Sequence, residues 1–190
     1  MTTAPAPMSP DLPTSVEKPL LLLDVDGPLN PYGAPPHRRP EGYTTHRMRP
    51  EGWEGRKPLR VWLKPDHGPA LLALPYRLVW CSTWQGQANK YIAPVLGLPE
   101  LDFVPFPPSP ATPEARLYWK TSHVVRWAAG RPFVWTDDET THYDEEYLAE
   151  HHKGFGRILH VSPRLGLRSE DFELLSAYAQ DAVTAPHTEG

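Results

Sequence analysis

The sequence predicts an α/β fold, a Rossmann-like doubly wound parallel sheet of about five strands with a small basic insertion after the first strand. Three observations predict it. Short continuous apolar runs recur along the chain, helical stretches with an apolar stripe lie between them, and several runs end on an acid or a hydroxyl. Such runs suit strands buried on both faces of a parallel sheet, whose ligands bind beyond the carboxyl ends of the strands.

The first run, residues 20–23, is all leucine and stops at Asp24, where Gly27-Pro28 turns the chain. Residues 30–65 do not fit the alternation and read as an insertion, a small β-hairpin with flexible loops. Asp66 is a candidate N-cap for a helix running through Leu74. Further strands are expected at residues 77–81, 103–106, 132–135 and 158–161, each rich in Val, Phe, Ile or Trp. Between the strands expected at 103–106 and 132–135, residues 121–129 place Val124, Val125, Trp127 and Ala128 at core spacing before Gly130, which can end a helix. The final helix begins at Ser169, a candidate cap. Glu170 and Asp171 suit its positive end, and Phe172, Leu174, Leu175, Tyr178 and Ala179 form one stripe as far as Ala182.

A chain of 190 residues is long enough for one well-developed core and too short for two domains of ordinary size. The expected organisation is a disordered Pro-rich leader over residues 1–18, one folded domain over 19–182 and a flexible tail over 183–190. With 39% hydrophobic and 22% charged residues, the composition is that of a soluble globular protein. No apolar run approaches the roughly 18 residues of a membrane span, which excludes a membrane partner of that kind. The leader lacks the basic start and apolar stretch of a secretory signal. Cys81 is the single cysteine, so an internal disulfide and a cysteine zinc site are excluded, and a reducing cytoplasm fits. It also fails as a phosphatase nucleophile, because Gln87 stands where that chemistry needs an arginine.

Net charge is -4, but residues 31–64 hold eight lysines and arginines against three glutamates, +5 in all, and the remainder is -9. A basic segment only a few residues beyond Asp24 can attract a phosphorylated substrate. Its Tyr43, Trp53 and Trp62 stand among arginines, where they serve either base stacking or core packing.

Three strand ends carry the candidate chemistry: Asp24-Val25-Asp26-Gly27-Pro28-Leu29-Asn30, then Cys81-Ser82-Thr83-Trp84, then Thr136-Asp137-Asp138-Glu139. At least three carboxylates in one crevice repel one another unless a hard cation is present, and oxygen ligands without Cys or His favour Mg²⁺. Lys120 can supply a positive charge to the same crevice, the combination that neutralises a transferring phosphoryl group. The nine histidines lack paired metal-ligand spacing and take packing or solvated roles.

In order and spacing these residues resemble the haloacid dehalogenase-like (HAD) superfamily in its phosphatase form, whose signature is DxDGxxN, a strand-end Ser or Thr, a Lys and a paired acidic motif. The segments DVDGPLNPYG and VWLKPDHG are similar to the small HAD domain associated with bacterial RNA repair proteins. The resemblance implies that Asp24 attacks phosphorus, and that Asp26 protonates the leaving oxygen and later activates water. It implies further that Ser82 hydrogen-bonds the phosphoryl oxygens and that Lys120 holds the phosphoryl group beside the nucleophile. Mg²⁺ would be bound by Asp24, Asp137 and the main-chain carbonyl of Asp26, with Asp138 assisting. Strand alternation favours Ser82 over Thr83 as the hydroxyl. Asp26 argues for phosphate esters, since a dehalogenase needs no acid two residues after its nucleophile. The expected substrate is a phosphorylated small molecule or nucleotide, or an RNA or DNA end. The alternative from another class is a non-catalytic module that holds phosphate or nucleic acid in the same crevice.

Overall fold

The computed structural model describes residues 17–107 and 116–184. The leader and tail expected from the sequence lie outside these apart from Glu17, Lys18, Val183 and Thr184, as does part of the Pro-rich stretch after Pro99. In chain order the elements are β1 (Leu20–Leu23), β2 (Thr44–Met48), β3 (Leu59–Leu63), α1 (His67–Ala73), β4 (Arg77–Trp80), α2 (Gln87–Tyr91), α3 (Ala93–Leu96), β5 (Asp102–Phe103), α4 (Thr121–Ala128), β6 (Phe133–Asp137), α5 (His142–His151), β7 (Gly156–His160) and α6 (Ser169–Thr184). Among the described residues no helix is long and apolar enough to cross a membrane.

Five strands form one parallel sheet in the order β5-β4-β1-β6-β7, so β1 is central and both its neighbours are paired along its full length. Four leucines in succession serve both faces. Leu21 and Leu23 pack with Leu71, Leu96, Leu175 and Ala179, from α1, α3 and α6. Leu20 and Leu22 pack on the other side with Val124, Val125, Ala128 and Leu148, from α4 and α5. A strand apolar at every position is what this two-sided burial requires.

The insertion contains the expected hairpin, β2 paired antiparallel with β3. Met48, Val61 and Leu63 turn into the larger core and fix the hairpin over the carboxyl end of the sheet. Of the aromatics Tyr43, Trp53 and Trp62, two resolve to packing: Tyr43 and Trp62 are buried together with Ala34, while Trp53 is exposed.

The strand expected at 103–106 pairs only at Asp102 and Phe103. Val104 still donates to the Trp80 carbonyl at 2.8 Å, but Pro105 has no N–H to continue the ladder. β6 runs two residues beyond its expected end because Thr136 and Asp137 pair with β7. Asp66 makes no side-chain cap bond. At α6 Ser169 is the first helical residue, and the Arg168 N–H before it donates to the Asp171 carboxylate at 2.8 Å. Helix α5 has a capping box between Thr141 and Asp144. Its sequence, HYDEEYLAEH, has too narrow an apolar stripe to signal a helix by periodicity.

Candidate active site

Asp24 follows the last residue of β1, where the sheet ends and the chain turns outward. Its Oδ1 accepts the Val25 N–H at 2.7 Å, and its Oδ2 accepts Lys120 Nζ at 2.7 Å. Lys120 also donates to Asp137 Oδ2 at 3.0 Å and to the Cys81 carbonyl at 3.3 Å, so one ammonium joins the ends of β1, β4 and β6. It is 2% exposed, and the rings of Phe106, Tyr118 and Trp119 surround it with centroids 5.4–5.9 Å from Nζ. Burial alone would favour the neutral amine, but the Asp24 and Asp137 carboxylates hold Lys120 well above its ordinary pKa.

The backbone that carries Lys120 is fastened by Asp144, which is fully buried at the start of α5. Asp144 Oδ1 accepts the Tyr118 N–H at 2.9 Å and the Thr121 hydroxyl at 2.6 Å, while Oδ2 accepts the Thr141 N–H at 2.7 Å. One carboxylate thereby ties the residues flanking Lys120 to the helix that follows Asp137.

Asp137 is the last residue of β6 and fully buried; its Oδ1 accepts the Glu139 N–H at 2.9 Å. Burial, with a smaller contribution from Asp24, pushes its pKa up against the opposing pull of Lys120. Asp138 is half-buried and pushed up to about 6, chiefly by burial, although the Tyr32 hydroxyl donates to its Oδ2 at 2.9 Å. Gly27 has φ +90°, and a Cβ there would meet the Asp138 carboxyl, so both the turn and the packing require glycine.

Oxygen atoms of Asp24, Asp137 and Asp138 lie within 4.8 Å of one another. Three carboxylates against one ammonium leave two negative charges, which a dication matches, and an oxygen-only donor set fits Mg²⁺. Asp26, expected at the metal through its main-chain carbonyl, has its side chain engaged elsewhere. Its Oδ1 accepts the Asn30 amide at 2.7 Å and its Oδ2 accepts the Trp84 indole N–H at 2.9 Å. Burial raises the Asp26 pKa, and these two donors partly offset it.

Asp24, Asp26, Asn30, Tyr32, Thr83, Tyr118, Trp119, Lys120, Asp138 and Glu139 line a crevice of about 350 Å³, which the hairpin borders through Leu59 and Arg60. The larger groove, about 700 Å³ along β5, holds none of these acids. Of the two hydroxyls after β4, Ser82 is fully buried with Oγ 3.5 Å from the Trp84 N–H, whereas Thr83 is exposed and lines the crevice. Cys81 is enclosed and burial pushes its thiol up, in keeping with a packing role.

Sequence reasoning missed Trp84, Tyr32 and Asp144, and did not assign Asn30 a partner. Asn30 had a signal, its place in DxDGxxN. Trp84 had none, since an indole four residues past a strand reads as core.

The chain matches the family described as the HAD domain in Swiss Army Knife RNA repair proteins, over residues 20–172. No curated protein and no solved structure matches it.

Proposed function

The chain belongs to the family of HAD domains found in Swiss Army Knife RNA repair proteins, within a superfamily of phosphohydrolase type, and from that premise we propose that it is a Mg²⁺-dependent phosphatase acting through an aspartyl-phosphate at Asp24. The observation that carries the proposal is the buried Lys120 ammonium held between Asp24 and Asp137, with Asp26 facing the same crevice.

Asp24 attacks the phosphorus of a phosphomonoester. A bond forms from its carboxylate oxygen to phosphorus as the bond to the leaving oxygen breaks, and Asp26 gives that oxygen its proton. In the second half, Asp26 takes a proton from water, the water oxygen bonds to phosphorus, and the Asp24–phosphorus bond breaks to release inorganic phosphate. Burial favours the protonated form of Asp26, while the Asn30 and Trp84 donors favour the carboxylate. That balance suits a group that must give a proton and then take one. Lys120 places positive charge beside Asp24 and the phosphoryl oxygens. Ser82, at the end of β4, is the proposed hydroxyl contact, with Thr83 at the crevice wall as the other candidate.

Asp24, Asp137 and Asp138, with the main-chain carbonyl of Asp26, would hold Mg²⁺, which when bound neutralises negative charge on the phosphoryl group. The phosphate class of the site, the +5 insertion and the Tyr118, Trp119 and Arg60 lining support a nucleotide or a nucleic-acid end as substrate. Phosphate release from an aryl phosphate with Mg²⁺ tests the proposal. Wild-type protein should turn over and Asp24→Asn should not, with an unchanged far-UV spectrum; full turnover by Asp24→Asn would sink it.

A further inference from the structure

The hairpin carries a like-charge pair that its own fold does not neutralise. In the register of β2 with β3, Arg47 lies directly opposite Arg60, and Thr45 directly opposite Trp62. Residues directly opposite in an antiparallel pair share one face, with Cβ atoms about 5 Å apart, and like charges there cost stability. Met48, Val61 and Leu63 occupy the other face and point into the core, so Arg47 and Arg60 lie on the face turned away from it, where Arg47 is exposed and Trp62 is buried beneath the Arg60 guanidinium.

Arg39 joins the same face, donating through Nη1 to Thr45 Oγ1 at 3.3 Å, two residues or about 7 Å along β2 from Arg47. Arg60 is held with its guanidinium 3.9 Å from the Trp62 ring centroid, and its Nη1 donates to the Pro36 carbonyl at 3.1 Å. The ion pairs among the described residues lie elsewhere, and none reaches Arg39, Arg47 or Arg60. Arg60 also borders the crevice that holds Asp24. The row therefore starts at the catalytic crevice and leads away from it.

We infer that Arg60, Arg47 and Arg39 form a track for the internal phosphodiesters of a single-stranded polynucleotide whose terminal phosphate occupies the crevice. The inference rests on the phosphatase reading for that terminal phosphate. A repeating anion is the occupant that fits: one end group goes to Asp24, and successive backbone charges meet successive guanidiniums, which bind phosphate through their planar fork. Tyr118 and Trp119 line the crevice where the terminal nucleoside would lie. A mononucleotide supplies no charge beyond Arg60, and a phosphopeptide has no charge repeating along its backbone.

The test is fluorescence anisotropy of a labelled, terminally phosphorylated DNA octamer on the Asp24→Asn protein with Mg²⁺, with the phosphorylated mononucleotide and a phosphopeptide as competitors. Phosphate release by wild-type protein from an aryl phosphate is run beside it. The octamer should compete at least about tenfold better than either rival at low salt, with affinity falling steeply as salt rises. Arg47→Ala should reduce the log–log salt slope by roughly 0.7, one phosphate contact, and weaken octamer binding about fivefold, with Arg47→Lys restoring part of both. Equal affinity for octamer and mononucleotide, tighter phosphopeptide binding, or an unchanged salt slope in Arg47→Ala overturns the track. Absence of release from the aryl phosphate overturns the phosphatase reading instead, and the binding measurements stand apart from it.

Discussion

Asp26 and Asn30 form a 2.7 Å hydrogen bond that connects the proposed general acid to the hairpin, because the other end of the Asn30 amide, Oδ1, accepts the Trp62 N–H of β3 at 3.0 Å. With the Trp84 indole on its second oxygen, Asp26 is held from two sides. Its orientation therefore depends on the seating of the hairpin.

Loosening this clamp should penalise substrates according to their leaving group. Asn30→Ala and Trp84→Phe are expected to lower kcat on an alkyl phosphate by roughly tenfold to a hundredfold, part of the 10²–10⁴ that general acid catalysis supplies. The loss on a dinitrophenyl phosphate, whose leaving group needs no proton, should be several-fold smaller. Paired kcat and KM measurements on the two substrates decide it; equal losses on both would mean the clamp has only a structural role.

Lys120→Met removes the cation shared by two buried carboxylates. Breaking a buried ion pair from one side costs roughly 3–5 kcal/mol, so the variant should melt well below wild type in EDTA. Added Mg²⁺ should recover part of that loss, since a dication supplies charge to the same three acids. Differential scanning fluorimetry with and without Mg²⁺ is the check, and a variant that melts like wild type in both conditions would contradict the charge balance described above.

His67 gives a pH dependence distant from the catalytic acids. Only 3% exposed and packed between the Tyr43 and Phe172 rings, it joins the hairpin segment to α6, and burial pushes its pKa down to about 4 from 6.5. The unfolded chain binds a proton here between these values and the folded protein does not. Stability is therefore unaffected above pH 6.5 and is lost as pH falls toward 4, by up to about 3 kcal/mol. Urea unfolding at pH 7, 5.5 and 4.5 should show a smaller acid loss for His67→Leu than for wild type; parallel losses would assign the acid sensitivity to other groups.

The parallel sheet was legible because its strands are continuous apolar runs. The site residues were legible because Asp24, Asp26, Ser82 and Asp137 stand at or just after strand ends and Lys120 stands between the last two of them, a recognisable order. The hairpin was legible only as an interruption, since its pairing brings Met48 against Leu59 and Arg47 against Arg60, a register that no local pattern in a Pro-rich segment specifies. The residues that support the site were hidden for a related reason. Trp84, Asp144 and Tyr32 act at sequence separations of 58, 23–26 and 106 residues, and their residue types suit packing, capping or a loop equally well.

The measurement nearest the central claim is chemical identification of the phosphorylated residue. Wild-type protein quenched during turnover and treated with borohydride, which reduces an acyl phosphate to the alcohol, should carry homoserine at position 24 and nowhere else by peptide mass spectrometry. Phosphate release without modification at Asp24, or with modification at another residue, would contradict the account.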